Sequence, residues 1–151
     1  MNYNSYFYPE IEKEAKIDTE GENFEINRKN GENESFICQL IRNDLVEEFI
    51  SYVNKTNYSL KSTIQESIFE TNLFLIDKTP TLIEYAAFFG SIQIFQYLQL
   101  NNVEIKSSIW LYAIHGNHPE MIHLLEYSDI KPENDDYRKC FKEAIKCHHN
   151  D

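Results

Sequence analysis

The feature that most constrains this chain is a register. Thr81–Leu98 lies over Ser108–Leu125 residue for residue, at an offset of 27 and with no gap. Tyr85-Ala86 falls over Tyr112-Ala113, Gly90 over Asn117 and Gln93 over Glu120. Ile94-Phe95 falls over Met121-Ile122, and Tyr97-Leu98 over Leu124-Leu125. Repetition at such a period implies a stacked array, because one unit is too small to bury its apolar face alone.

Each copy reads as a helix, a tight turn and a second helix. Leu82, Ile83, Ala86 and Ala87 recur at three- and four-residue spacing, which places them on one helix face. Two starts are open: Thr79-Pro80 as N-cap and first-turn proline, or Thr81 with Glu84 as a capping box. Gly90 ends the first helix where a left-handed residue is wanted, and Asn117 is the other residue type that tolerates this conformation. Ile94, Phe95 and Leu98 make the stripe of the second helix; Met121, Ile122 and Leu125 make it in the second copy, after Pro119 at the helix start. The small Ala86 and Ala113 are the expected points of close helix approach.

Thr79-Pro80, Ala86-Ala87, Gly90 and Ile94-Phe95-x-Tyr97-Leu98 together resemble the ankyrin repeat. The second copy carries the likeness in Ala113, Asn117-His118 and Met121-Ile122-x-Leu124-Leu125. From about Phe36 the chain is similar to a divergent ankyrin-like family of unknown function from unicellular eukaryotes. That likeness rests on Ile37–Ile50, on Ser67-Ile-Phe-Glu-Thr71 and on Glu143–Asp151. The offset is shorter than the ankyrin period of about 33. The Thr-Pro-Leu-His tetrad stands here as Thr79-Pro-Thr-Leu, and the finger between repeats shrinks to Asn101-Asn102-Val103-Glu104. The resemblance implies an all-α, ankyrin-like solenoid of helix-turn-helix units with short fingers, acting as a non-enzymatic protein–protein interaction scaffold. In such arrays the first helices line the concave side. By that resemblance Tyr85, Phe88, Phe89, Tyr112 and His115 are candidates for partner contact, with core packing as the alternative. The finger residues Asn101, Asn102, Glu104 and Lys106 are candidates too, with a plain solvated loop as the alternative.

Residues 1–35 differ from the rest: acidic, rich in Asn, Gly and Ser, and partly disordered by expectation. Glu20-Gly-Glu-Asn and Asn30-Gly-Glu-Asn-Glu-Ser read as turns or disorder. Tyr3, Tyr6, Phe7 and Tyr8 are either a docking segment or aromatics that pack back on the array. The repeat domain spans 36–151, with units at about 36–54, 79–101, 107–127 and a truncated one at 136–151. In the first, Ile37, Leu40 and Ile41 form a face, Asn43-Asp44 a turn, and Phe49, Ile50, Tyr52 and Val53 a second stripe. Thr63–Asp77 reads as an insertion, one helix or irregular packing, too apolar at Ile68-Phe69 and Leu73–Ile76 for an exposed loop. In the last unit Ala144-Ile145 lies over Ala113-Ile114, and Asn150-Asp151 stand where the next helix should begin. Phe141, Ala144 and Ile145 therefore lack a cover. The expectations are a shortened or truncated array, or a face that meets a partner or a second copy, hence a monomer or weak self-association through this edge.

Charge narrows the partner. With 25 Asp and Glu against 14 Lys and Arg, the net charge is −11. Phosphate backbones are repelled and no basic stripe appears, so a protein with a basic surface is expected rather than nucleic acid. No window reaches the apolar length of a membrane span. Three dispersed cysteines and no apolar leader after Met1 suggest a reduced, cytoplasmic protein. Cys140, Cys147, His148 and His149 are the one metal-like cluster, but their spacing is wrong for zinc, so no metal or cofactor is expected. His115, His118 and His123 sit without a nucleophile or paired carboxylate in a recognisable frame. His115 and His118, flanking the turn, suit bonds to loop carbonyls. A histidine- or metal-dependent enzyme stays as the alternative, and a structural segment of a larger repeat protein as a third reading. Trp110 aligns with Ile83 and is expected in the core.

Overall fold

A computed structural model describes residues 22–148. Among them every regular element is helical: α1 (Glu22–Asn30), α2 (Phe36–Arg42), α3 (Val46–Thr56), α4 (Leu82–Phe89), α5 (Ile92–Leu100), α6 (Ile109–Gly116), α7 (Pro119–Tyr127) and α8 (Tyr137–His148). A 3-10 turn at Glu133–Asp135 precedes α8. The bounds of α4 and α5 return 27 residues later as those of α6 and α7. α4 packs on α2 and α6, and α6 packs on α8, so these four helices lie side by side. α3, α5 and α7 each pack behind the helix they follow, and α5 also touches α3.

Local chemistry sets the ends of these helices. Thr81, not Thr79, caps α4. Its side chain accepts from the Glu84 amide, and the Glu84 carboxylate accepts from the Thr81 amide at 2.9 Å. Pro80 lies outside the helix, so of the two starts open in the sequence the capping box is the one formed. Five helices then close alike. The amides of Leu45, Tyr58, Ser91, Val103 and Ile130 donate back to the carbonyls of Leu40, Val53, Ala86, Leu98 and Leu125, at 2.9 to 3.2 Å. The residue before each donor is left-handed: Asp44, Asn57, Gly90, Asn102 and Asp129, with φ from 50° to 69°. This closure uses carbonyls the helix itself cannot satisfy, and it needs a residue that tolerates positive φ. Asn117, at the end of α6, takes the same left-handed conformation, with φ of 56°, and its amide donates to the Ile114 carbonyl at 3.1 Å.

Polar groups also tie one helix pair to the next. The Asp44 carboxylate accepts from the Gln93 and Ile94 amides at 3.0 and 2.9 Å, capping α5 from the previous turn. Ser91 donates to the Ile41 carbonyl. Glu84, 8% exposed, accepts from the Ser108 hydroxyl at 2.6 Å, so the carboxylate that starts α4 also holds the start of α6. The apolar stripes fill the space between rows. Ile94, Phe95, Leu98, Met121 and Leu125 are fully buried, and each such side chain contributes about 1.5–3 kcal/mol. Trp110 is buried and donates its indole N–H to the Ile130 carbonyl at 3.0 Å.

Two stretches take forms that the sequence pattern left open. Glu22–Asn30, within the segment 1–35 expected to be partly disordered, is helical. Phe24 anchors it, buried and meeting Phe69 edge to face at 5.3 Å. Gly31 ends it with φ of 65°, and its carbonyl accepts from the Thr71 amide and hydroxyl at 3.0 and 2.7 Å. A polar helix with one anchor is held by tertiary contact, which periodicity does not report. Tyr3, Tyr6, Phe7 and Tyr8 lie outside the described residues. The second stretch is the insertion before α4: of the two readings left open, one helix or irregular packing, turns and irregular backbone are what forms. Ile64, Phe69 and Leu75 are buried in it, yet Ile68 and Leu73 are 52% and 89% exposed. Backbone bonds from Ile64 to Pro80 and from Leu82 to Ser62 clip its base to the start of α4, so it is held at its ends and needs no continuous apolar face.

Candidate functional site

The side of the α4–α6–α8 row that faces the insertion carries a groove of about 850 Å³. Three- and four-residue spacing brings Tyr85, Phe88 and Phe89 of α4 and Tyr112 and His115 of α6 onto this side. The insertion then lays Phe74 across them. Its ring stacks on Phe88 at 5.8 Å, meets Tyr112 edge to face at 5.1 Å and stacks on His115 at 3.8 Å. Lys78 sits over the same ring at 4.6 Å.

The candidate contact residues thus divide. Tyr85 and Tyr112 are 1% and 8% exposed, and Phe88 is 6% exposed under Phe74; for these three, core packing is what the structure shows. Burial, reinforced by Cys38, pushes the Tyr85 phenol far up; Arg42 donates to its oxygen at 3.0 Å. Burial, reinforced by Glu84, raises the Tyr112 phenol to about 12. Phe89 and His115 are half-buried and line the groove. Asn101, Asn102, Glu104 and Lys106 are exposed at the loop after α5, where the Asn101 amide donates back to the Tyr97 carbonyl at 2.8 Å.

His115 is the polar centre of the groove. Its Nε2 lies 2.8 Å from Glu143 Oε1, and its Nδ1 lies 3.4 Å from Cys147 Sγ. A hydrogen on Nε2 donates to the carboxylate and leaves Nδ1 to accept from the thiol. His115, and then Lys146 at 3.1 Å, hold the Glu143 carboxyl below its usual range. Burial, and then Glu143, push the Cys147 thiol up, against a smaller opposing effect of Lys146. The arrangement can orient an imidazole and relay a proton. It does not favour a standing thiolate, whose charge burial penalises.

This trio corrects the sequence reading. His115 was expected to bond loop carbonyls at the turn; it bonds α8 instead. Glu143 and Cys147 lie four residues apart on α8, one turn of a helix, so both reach the same imidazole. The alignment of Ala144 with Ala113 pointed to α8 beside α6, which is the one signal that bears on it. Gly116 completes the close contact: a Cβ there would fall 1.8 Å from the Phe88 carbonyl oxygen. The nearest approach of α4 and α6 thus includes this glycine as well as the fully buried Ala86 and Ala113. Of the metal-like cluster, Cys140 is buried and Cys147 bonds His115, while His149 lies outside the described residues. Among the described residues no group of three or more such side chains is placed to hold a metal ion, and no helix is long and apolar enough to cross a membrane.

Compared with protein-family models, with curated proteins and with solved structures, the chain has no match.

Proposed function

We propose that this chain is a non-enzymatic protein-interaction scaffold, a short solenoid of ankyrin-like helix pairs with reduced fingers. The observation that carries this reading is the return of helix bounds after 27 residues, with left-handed closures at Gly90 and Asn117 and again at Asn102 and Asp129. Helix pairs that stack this way form extended concave surfaces, which are suited to proteins rather than to small substrates. The partner meets the exposed loop at Asn101, Asn102 and Glu104 and the groove edge at Phe89 and His115. The net charge of −11 favours a basic partner surface and a cytoplasmic setting fits three free thiols.

The test is affinity capture with the full chain, Asn101→Lys/Glu104→Lys and Asn30→Lys/Leu73→Lys, all at exposed positions. A specific partner held by the parent chain is expected to be lost with at least one pair, with helical circular dichroism unchanged. Retention of every captured protein by both variants ends this reading.

A second reading, a histidine-dependent thiol enzyme, has the Cys147–His115–Glu143 geometry in its favour. Under it His115 takes the thiol proton and Glu143 steadies the imidazolium. The raised thiol stands against it. Alkylation of Cys147 by iodoacetamide at neutral pH is expected to be slower than that of free cysteine and not to depend on His115. Faster alkylation, abolished by His115→Ala, would put the enzyme reading first.

A further inference from the structure

Two side chains hold the later part of the insertion to the rest of the molecule. Among the described residues, the hydrogen bonds of residues 72–77 stay inside the segment 70–78. The Leu75 and Ile76 amides donate to the Asn72 carbonyl at 2.9 Å, and the Lys78 amide donates to the Leu75 carbonyl at 3.1 Å. The Phe74 amide donates to the Asn72 side chain at 2.9 Å, and the Asn72 amide to the Glu70 carboxylate at 2.8 Å. Before this arc, Thr71 is tied to the Gly31 carbonyl by its amide and its hydroxyl. After it, the Pro80 carbonyl accepts from the Ile64 amide at 2.7 Å. Within the arc only Leu75 is buried. Phe74 is half-buried, and Asn72, Leu73, Ile76 and Asp77 are exposed.

What the arc covers is apolar and is held in place without it. The Phe74 ring lies on Phe88 and Tyr112, 6% and 8% exposed, which continue the shelf of Phe89 and His115. Phe88 meets Phe89 edge to face at 5.0 Å, and His115 is anchored by Glu143 and Cys147. Lys78, over the Phe74 ring, stands at the arc's own end, so that contact does not tie the ring to the helix rows. A segment with few buried contacts and only local hydrogen bonds opens at a lower free energy than the whole fold.

We propose that residues 72–77 are a displaceable cover: the arc swings out about Thr71 and Lys78 while the helix rows stay folded, and an aromatic side chain of a protein partner takes the place of the Phe74 ring on Phe88 and Tyr112. The opening follows from the bonding of the arc alone. Its use rests on the scaffold reading, which puts the partner at the neighbouring Phe89 and His115. Phe74 itself shows the chemistry the shelf accepts, a flat apolar ring stacked on one aromatic and edge-on to another. The partner then competes with a side chain of the chain itself, so its apparent affinity is reduced by the fraction of molecules that stand open.

The experiment is acetylation of tyrosines by N-acetylimidazole on the full chain, below its urea transition, with each site mapped by mass spectrometry. Tyr112 lies under the arc; Tyr85, 1% exposed beside Phe89 and Arg42, is the control for global unfolding. Tyr112 is expected to react through local opening, at a rate nearly independent of urea. The rate at Tyr85 should climb with urea as for unfolding of the whole chain. Phe74→Ala is expected to speed Tyr112 by about tenfold more than Tyr85, the size of one or two aromatic contacts. N-acetyl-phenylalaninamide added to Phe74→Ala should slow Tyr112 again, and N-acetyl-alaninamide should not. Equal rates with equal urea dependence at the two tyrosines, or no effect of Phe74→Ala, overturn the cover. So does a Phe74→Ala chain that loses its helical circular dichroism, because the rows would then depend on the arc. Failure of N-acetyl-phenylalaninamide to protect Tyr112 overturns an aromatic side chain as the occupant. The capture variants above still decide the scaffold reading separately, whichever way these rates fall.

Discussion

The α4–α7 block and α8 are written in the same apolar language and end up differently. Phe95, in a stripe with Ile94 and Leu98, is fully buried; Phe141, in a stripe with Ala144 and Ile145, is 69% exposed. The two phenylalanines differ in what stands behind them rather than in their own helices. α5 is caught between α3 and α4, whereas α8 is packed chiefly on α6. An apolar stripe names the face of a helix that seeks cover. A neighbour decides whether cover exists.

The most direct way to break this contrast is to truncate both rings. Phe95→Ala is expected to cost about 3–5 kcal/mol in urea unfolding, as for a fully buried aromatic. Phe141→Ala should stay within about 0.5 kcal/mol. Equal costs would mean that α8 is covered in solution.

Gly116→Ala probes the contact that sets the row. Because the added Cβ meets the Phe88 backbone rather than a movable side chain, the two helices must part. A loss of about 1–3 kcal/mol is expected. A thermal melt unchanged from the parent would show that α4 and α6 can slide apart freely.

The phenols sharpen the same comparison by pH. Tyr85 and Tyr112 of the block both titrate above the ordinary phenol range when folded, Tyr112 at about 12. The folded state holds these protons more tightly than the unfolded chain does. Their contribution is therefore fully present below about pH 10 and is lost as pH rises through 12. Stability measured by urea titration should fall steadily across that window. Tyr112→Phe should flatten the fall, and an unchanged slope would argue that the ring is not held as described.

The smallest effect is expected at the turn between α2 and α3, whose Asp44 caps α5. Asp44→Ala removes the cap of Gln93 and Ile94 and places alanine at φ of 50°. A cost of about 1 kcal/mol is expected for the cap alone. Asp44→Gly keeps the conformation without the cap, so the difference between the two variants isolates the backbone strain.

How far the candidate site was legible follows the same division. Phe89 and His115, candidates for partner contact through the ankyrin resemblance, line the groove. Phe88 and Tyr112 lie under Phe74, which arrives from an insertion with no periodicity to read, and Tyr85 is buried beside Phe89 and Arg42. Glu143 and Cys147 were invisible as partners of His115: they lie 28 and 32 residues away, and no local pattern links them.

By itself the sequence determined the period of 27, the turn positions at Gly90 and Asn117, and the stripes of α5 and α7. Each depends on interactions within a few residues, such as caps, left-handed closures and helical spacing, which the chain carries locally. Tertiary structure alone decided that Glu22–Asn30 becomes a helix, that Phe74 covers the aromatic shelf, that Cys147 and Glu143 meet His115, and that the side of α8 carrying Phe141 stays open. Those outcomes depend on which surfaces meet across long stretches of chain, and burial is a property of the pair in contact rather than of either partner.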